Sequence, residues 1–270
     1  MAEAESNPDS RNAYTLDSVR EALVRQEDTI IFSLIERAKF PLNSHTYDQN
    51  YISIPGFCGS LVEFIVKNTE ATQAKAGRYK SPEENPFFPE NLLPSMVPYY
   101  PFSKMLHPTA ALVNINKHIW KIYFDELLPL FAASGDDGSY AQTAASDLSL
   151  LQAISRRIHY GKFVAEVKYR ESPADYEPAI RAQDQEAMMK LLTFESVEEM
   201  VRKRVEKKAM VFGQQVSLDS DENKGNKYKV DLSLVSRLYK QWVIPLIPSL
   251  VMVQSSKSIV AHAAVKVYKE

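Results

Sequence analysis

The stretch that decides the fold runs Ile154-Ser-Arg-Arg-Ile-His-Tyr-Gly-Lys-Phe-Val-Ala-Glu-Val-Lys-Tyr169. Apolar residues Leu151, Ile154, Ile158 and Ala165 recur at steps of three, four and seven, the period of a helix with one buried face. Phe163 and Val164 lie about one turn before Lys168. Arg157 and Lys168 are eleven residues apart, roughly 1100° of helical rotation, which returns them to one side with alpha carbons separated by roughly 16 Å. Two long cations at the margin of an apolar stripe can close on a small anion held between them. On an arbitrary helix the same pair is two solvated charges.

Working outward, residues 143–171 read as one long helix. Residues 15–38 read as another, with Leu16, Val19, Leu23, Ile30 and Leu34 at helical spacing and Thr15 or Asp17 as its cap. Arg20 shares a stripe with Val24 and Ile31, which predicts partial exposure. Ser60-Leu-Val-Glu63 is a capping box opening a helix over 60–76, and Ser196-Val-Glu-Glu199 is a second, opening a helix that ends near Gly213. Asn116–Ala133 reads as one continuous helix. Shorter helices are expected at 174–183, 184–192 and 231–239. Seven prolines between 78 and 112 forbid a long helix there, and a loop of that length inside a domain is usually functional. Alternating strand runs are scarce. The expected fold is all-α, a single-domain multi-helix bundle around one long central helix, with residues 1–13 disordered, a domain over 14–246 and a distinct tail over 247–270.

Composition narrows the function. The 270 residues are 45% hydrophobic, enough for one sizeable core. Eight glycines and no GxGxxG or GxxxxGK[ST] argue against a phosphate loop. A net charge of −2 gives no nucleic-acid signature. The one cysteine, Cys58, fits a reducing compartment, and His45, His107, His118, His159 and His262 form no metal motif, so no metal and no cofactor are expected. The acidic start Met1-Ala-Glu-Ala-Glu-Ser resembles neither a secretory nor a plastid leader, which predicts the cytosol. The apolar run Trp242–Val253 is short and broken by two prolines, so no membrane span is expected.

The segment 154–169 closely resembles the all-helical chorismate mutases of plants and fungi. Asp17–Arg37, Gly77-Arg-Tyr-Lys-Ser-Pro-Glu-Glu-Asn-Pro-Phe-Phe88, Gly135-Asp-Asp-Gly138 and Ala144-Ala-Ser-Asp147 agree with it, and the resemblance covers about residues 15 to 246. It implies the rearrangement of chorismate to prephenate by a homodimer. That reaction needs no nucleophile, metal or proton transfer. It needs cations on two carboxylates and donors to the ether oxygen, where charge develops. By the family pattern Arg20 and Arg157 bind carboxylates, Lys168 donates to the ether oxygen and a carboxylate, and Glu198 accepts from the ring hydroxyl. On pattern alone, a carboxylate such as Glu198 seven residues before Val205 is a rim or cap residue.

The likeness breaks after Val243-Ile-Pro-Leu246. A substrate-binding Thr of the family falls on Ile247, and a Glu that donates to the ether oxygen falls on Val251. Two readings stay open: a weakened chorismate mutase, or a catalytically silent isoform that pairs with an intact subunit. Effector-controlled members resemble Gly-Ser in the loop before the long helix, where this chain has Ala141-Gln142, and Arg78 is all that remains of a paired arginine. This predicts the unregulated cytosolic plant form.

Overall fold

Thr15 starts the first helix: its hydroxyl accepts from the Ser18 N–H, and the Ser18 side chain returns the bond to the Thr15 N–H. The computed structural model describes residues 14–51, 53, 55–98, 106, 108–192, 194–215 and 228–247. The expectations for residues 1–13, His107, Val251 and the tail beyond 247 lie outside them. The helices are α1 (Leu16–Arg37), α2 (Leu61–Lys75), α3 (Pro108–Ala111), α4 (Asn116–Ile122), α5 (Leu128–Phe131), α6 (Tyr140–His159), α7 (Gly161–Glu171), α8 (Pro173–Ala182), α9 (Gln185–Leu192), α10 (Glu195–Gly213) and α11 (Leu232–Leu238). The fold is all-α and single-domain. Its nearest approach to a sheet among the described residues is an isolated bridge, Gln214 to Tyr228.

α6 is the axis: α1 and α2 pack on it, α10 packs on α1, α11 packs on α10, and the turns after α11 return to α6. The main core joins Ile30, Leu34, Val66, Leu150, Leu151, Ile158, Val205 and Val243. A second cluster sits at the other end of α1, where Val19 meets Leu106, Tyr160, Phe163 and Val167.

The central helix is not continuous. It breaks at Tyr160, whose ψ of −16° lets its carbonyl take the Phe163 N–H at 3.0 Å, a tightened i→i+3 turn. The helix also begins at Tyr140, so Ala141 and Gln142 belong to the exposed first turn of α6 rather than to a loop. The expected helix 116–133 is interrupted by π-helical turns over Tyr123–Leu127. The same widening occurs at Tyr239–Val243. Each π segment ends two residues before a proline, Pro129 or Pro245. Proline lacks the N–H for an i−4 bond and crowds that carbonyl, and a wider turn relieves both.

The capping box at Ser60 forms, with Glu63 reaching back at 2.9 Å. The one at Ser196 does not. Phe194 is the cap, because its carbonyl already takes the Val197 and Glu198 N–H groups at 2.9 and 3.0 Å. Ser196 is therefore inside the helix, and Glu195 and Glu198 sit in the first turn, where the helix dipole favours carboxylates.

Candidate active site

Arg157, in the last turn of α6, is 5% exposed. Its Nε and Nη1 are buried with no hydrogen-bond partner in the protein. The guanidinium stands 5.9 Å from the centre of the Tyr239 ring, and its charge is the strongest favourable influence on a Tyr239 hydroxyl that makes no well-aligned hydrogen bond. Burial raises the Tyr239 hydroxyl above its ordinary pKa against the pull of Arg157. An arginine held in this way has donors to spare for a ligand, and its planar fork suits a carboxylate.

Lys168, in the last turn of α7, is half-buried. Its Nζ lies 4.6 Å from the Phe194 ring centre and donates to the Leu192 carbonyl at 3.4 Å. Burial, and then the nearby charge of Arg20, lower its pKa. That coupling places Arg20 within electrostatic reach of Lys168 although the two lie on different helices. Glu198 follows Phe194 by one turn and is partly buried, its pKa raised by burial and by Glu195 against the pull of Arg202. Of the four expected site residues, Arg20 is coupled electrostatically to Lys168, whereas Arg157 is paired with Tyr239 and Glu198 is coupled to Arg202 and Glu195. Among the described residues no hydrogen bond joins any two of the four.

Arg20 is more exposed than its stripe predicts. Its side chain is 64% accessible and bridges Asp17 at 3.3 Å. Val19, one position earlier, points into the second core cluster, which turns Arg20 about 100° away from it.

Ile247 is the last described residue, and it packs directly on Gly161, at the bend between Arg157 and Lys168. The two halves of the expected effector region do not meet within one chain. Arg78 is held by Glu84 at 2.9 Å and by Gln152 at 2.9 Å, and Glu84 also bridges Arg156. Gln152 lies roughly 16 Å along α6 from Ala141.

Three groups of buried polar residues carry no signal in the sequence pattern. Glu27, fully buried, is gripped by Arg204 through Nε at 2.9 Å and Nη2 at 2.6 Å, with Lys208 at 3.1 Å, tying α1 to α10. Arg37 and Asp147 form a sealed ion pair at 2.6 Å, with the Tyr47 and Tyr123 hydroxyls donating to the same carboxylate. His159 is buried and neutral, its pKa lowered to about 3 by burial and by Lys162. Its Nδ1 lies 2.8 Å from the Ser155 carbonyl, and its Nε2 accepts the Ile115 N–H. Among the described residues no cluster of His, Cys, Asp and Glu could hold a metal ion. No described helix is long and apolar enough to cross a membrane.

A family model for chorismate mutase type II matches residues 139–249. Chorismate mutase 2 of Arabidopsis thaliana is 62% identical across 90% of this chain and 93% of its own length. The chain belongs to the chorismate mutase family. Cytosolic chorismate mutase 2 of Zea mays is 52% identical over 86% of the chain and 91% of that relative. The crystal structure of AtCM1 with phenylalanine bound in its allosteric site superposes with a TM-score of 0.81 at 48% identity, covering 90% of this chain and 94% of that one. Members of the family are isomerases, and the superposition shows that the architecture is shared with the solved structure.

Proposed function

We propose that this chain isomerises chorismate to prephenate at the site bordered by α1, α6, α7 and α10. The observation that carries the reading is the buried Arg157 guanidinium with two N–H-bearing atoms unpartnered, on the same bent helix pair as the half-buried Lys168. A dianion supplies what both groups lack. Arg157 and Arg20 hold the carboxylates, Lys168 donates to the ether oxygen as negative charge grows there, and Glu198 accepts from the ring hydroxyl. Nothing is transferred to the protein, so rate comes from holding a compact conformer and from charge already aimed at the oxygen. The substrate arrives as a free small molecule, the working form is a homodimer, and the compartment is the cytosol, as for the similar Zea mays relative.

The second reading, a silent isoform paired with an intact subunit, is favoured by one observation: Ile247 presents only hydrocarbon beside Gly161. Losing one donor to a developing oxyanion costs about 2.7–4 kcal/mol, or roughly 10²–10³ in rate. The test is prephenate formation by this chain beside a version carrying the family's Thr and Glu at positions 247 and 251. Measurable turnover that rises by about that factor in the restored version supports a weakened enzyme. No turnover in this chain, with full activity in the restored one, establishes the silent isoform.

A further inference from the structure

Gly161 is the first residue of α7, one turn after Arg157. A Cβ at this position would stand 2.6 Å from Ile247 Cγ2, 3.4 Å from its Cβ and 3.5 Å from its Cγ1. Among the described glycines the situation is distinctive. Gly56, Gly59, Gly77, Gly135 and Gly138 have positive φ, and a Cβ at Gly213 would meet nothing closer than 3.9 Å. Gly161 needs no unusual backbone. Its missing side chain is required by a neighbouring helix.

The obstacle is not a flexible tip. Ile247 is branched at Cβ and stiff at χ1, so relieving the contact requires the two backbones to move apart. That backbone continues from the segment whose Tyr239 faces Arg157. The C-terminal helix, formed by α11, the π turns and residues 244–247, therefore touches the central pair at Arg157 through Tyr239 and at the bend through Ile247.

We propose that Gly161 is a positioning residue. It seats the C-terminal helix in the bend through Ile247, and so fixes the wall of the anion site between Arg157 and Lys168. The catalytic consequence rests on the function proposed above; the seat itself does not.

The test uses the full chain and three variants: Gly161→Ala, Ile247→Ala and the double variant. Readouts are kcat and KM for prephenate formation, the thermal midpoint, and the emission of Trp242, isolated by Trp120→Phe in every protein compared. Trp242 lies in the same C-terminal segment and donates to Glu126 at 2.9 Å. By helix propensity alone alanine is the better residue at a helical glycine, so Gly161→Ala should raise the midpoint if the contact is immaterial. The proposal expects the opposite: a lower midpoint, a shifted Trp242 emission, and kcat reduced about a hundredfold, the scale of a displacement near 1 Å. Ile247→Ala should relieve the crowding, so that adding Gly161→Ala in that background costs little in any readout. If the parent chain forms no prephenate, midpoint and emission decide the seat alone, and the functional reading fails separately. A Gly161→Ala variant as stable and unshifted as the parent overturns the proposal. So does a defect that Ile247→Ala leaves undiminished.

Discussion

Arg157 and Tyr239 face each other across the junction of α6 and the C-terminal segment, guanidinium carbon 5.9 Å from ring centre, each with polar atoms that no other group in the protein satisfies. An arginine that meets a carboxylate here loses little by desolvation, because it is already out of water. Arg157→Ala should therefore remove a bound carboxylate's partner at a cost of ~3–5 kcal/mol. Calorimetric titration with a dicarboxylate mimic of the transition state checks this, and parent-like affinity in the variant would show that the substrate binds elsewhere.

Lys168 gives a pH signature. The group must be protonated to donate. Burial, and secondarily Arg20, lower its pKa, so kcat should begin to fall at a pH below the ordinary lysine range. Lys168→Arg keeps its charge throughout and should move that alkaline limb upward while slowing the reaction, since the guanidinium is a different shape. A profile whose alkaline limb is the same in both proteins removes Lys168 from the reaction.

Much of the fold was legible because the apolar period is strong where helices are long. α1 and α2 begin at the caps that Thr15 and Ser60 announce. The misses have local causes. At Ser196 the capping-box spelling was present, yet the Phe194 carbonyl began the ladder earlier. The bend at Tyr160 is a single tightened i→i+3 turn, and the two π segments come from prolines acting on carbonyls one turn before them; neither alters the hydrophobic period. For the site, Arg157 and Lys168 could be picked out on what reads as one helix and is two, α6 and α7, and grouping them with Arg20 and Glu198 rests on the family likeness alone. The Glu27–Arg204 and Arg37–Asp147 pairs were invisible, because their partners are 177 and 110 residues apart.

Phenylalanine, tyrosine and tryptophan should leave the rate unchanged. Arg78 is already engaged by Glu84 and Gln152, and Ala141 and Gln142 stand exposed at the start of α6. Rates measured with and without each amino acid check this, and a several-fold change with tryptophan would overturn it.

Lys162 is fully buried on α7, with Asn85 Oδ1 at 3.1 Å, and burial lowers its pKa from 10.5 to about 8. Between those two values the unfolded chain carries a proton that the folded chain has released, so this group makes stability rise with pH across that window. The full rise is at most about 3.5 kcal/mol. Denaturant titrations at pH 7.5 to 10 should show the parent gaining on Lys162→Met as pH increases. Parallel curves would mean that the amine keeps an ordinary affinity for its proton.

The grip of Arg204 and Lys208 on Glu27 has a mechanical meaning. Arg20 precedes Glu27 by two turns on α1, and Glu198 precedes Arg204 by fewer than two on α10. The clamp fastens the two helices to each other, and α1 is in turn packed on α6 and α7. A push on one of these helices is therefore passed to the others, so Arg20 and Glu198 shift only as their helices shift together.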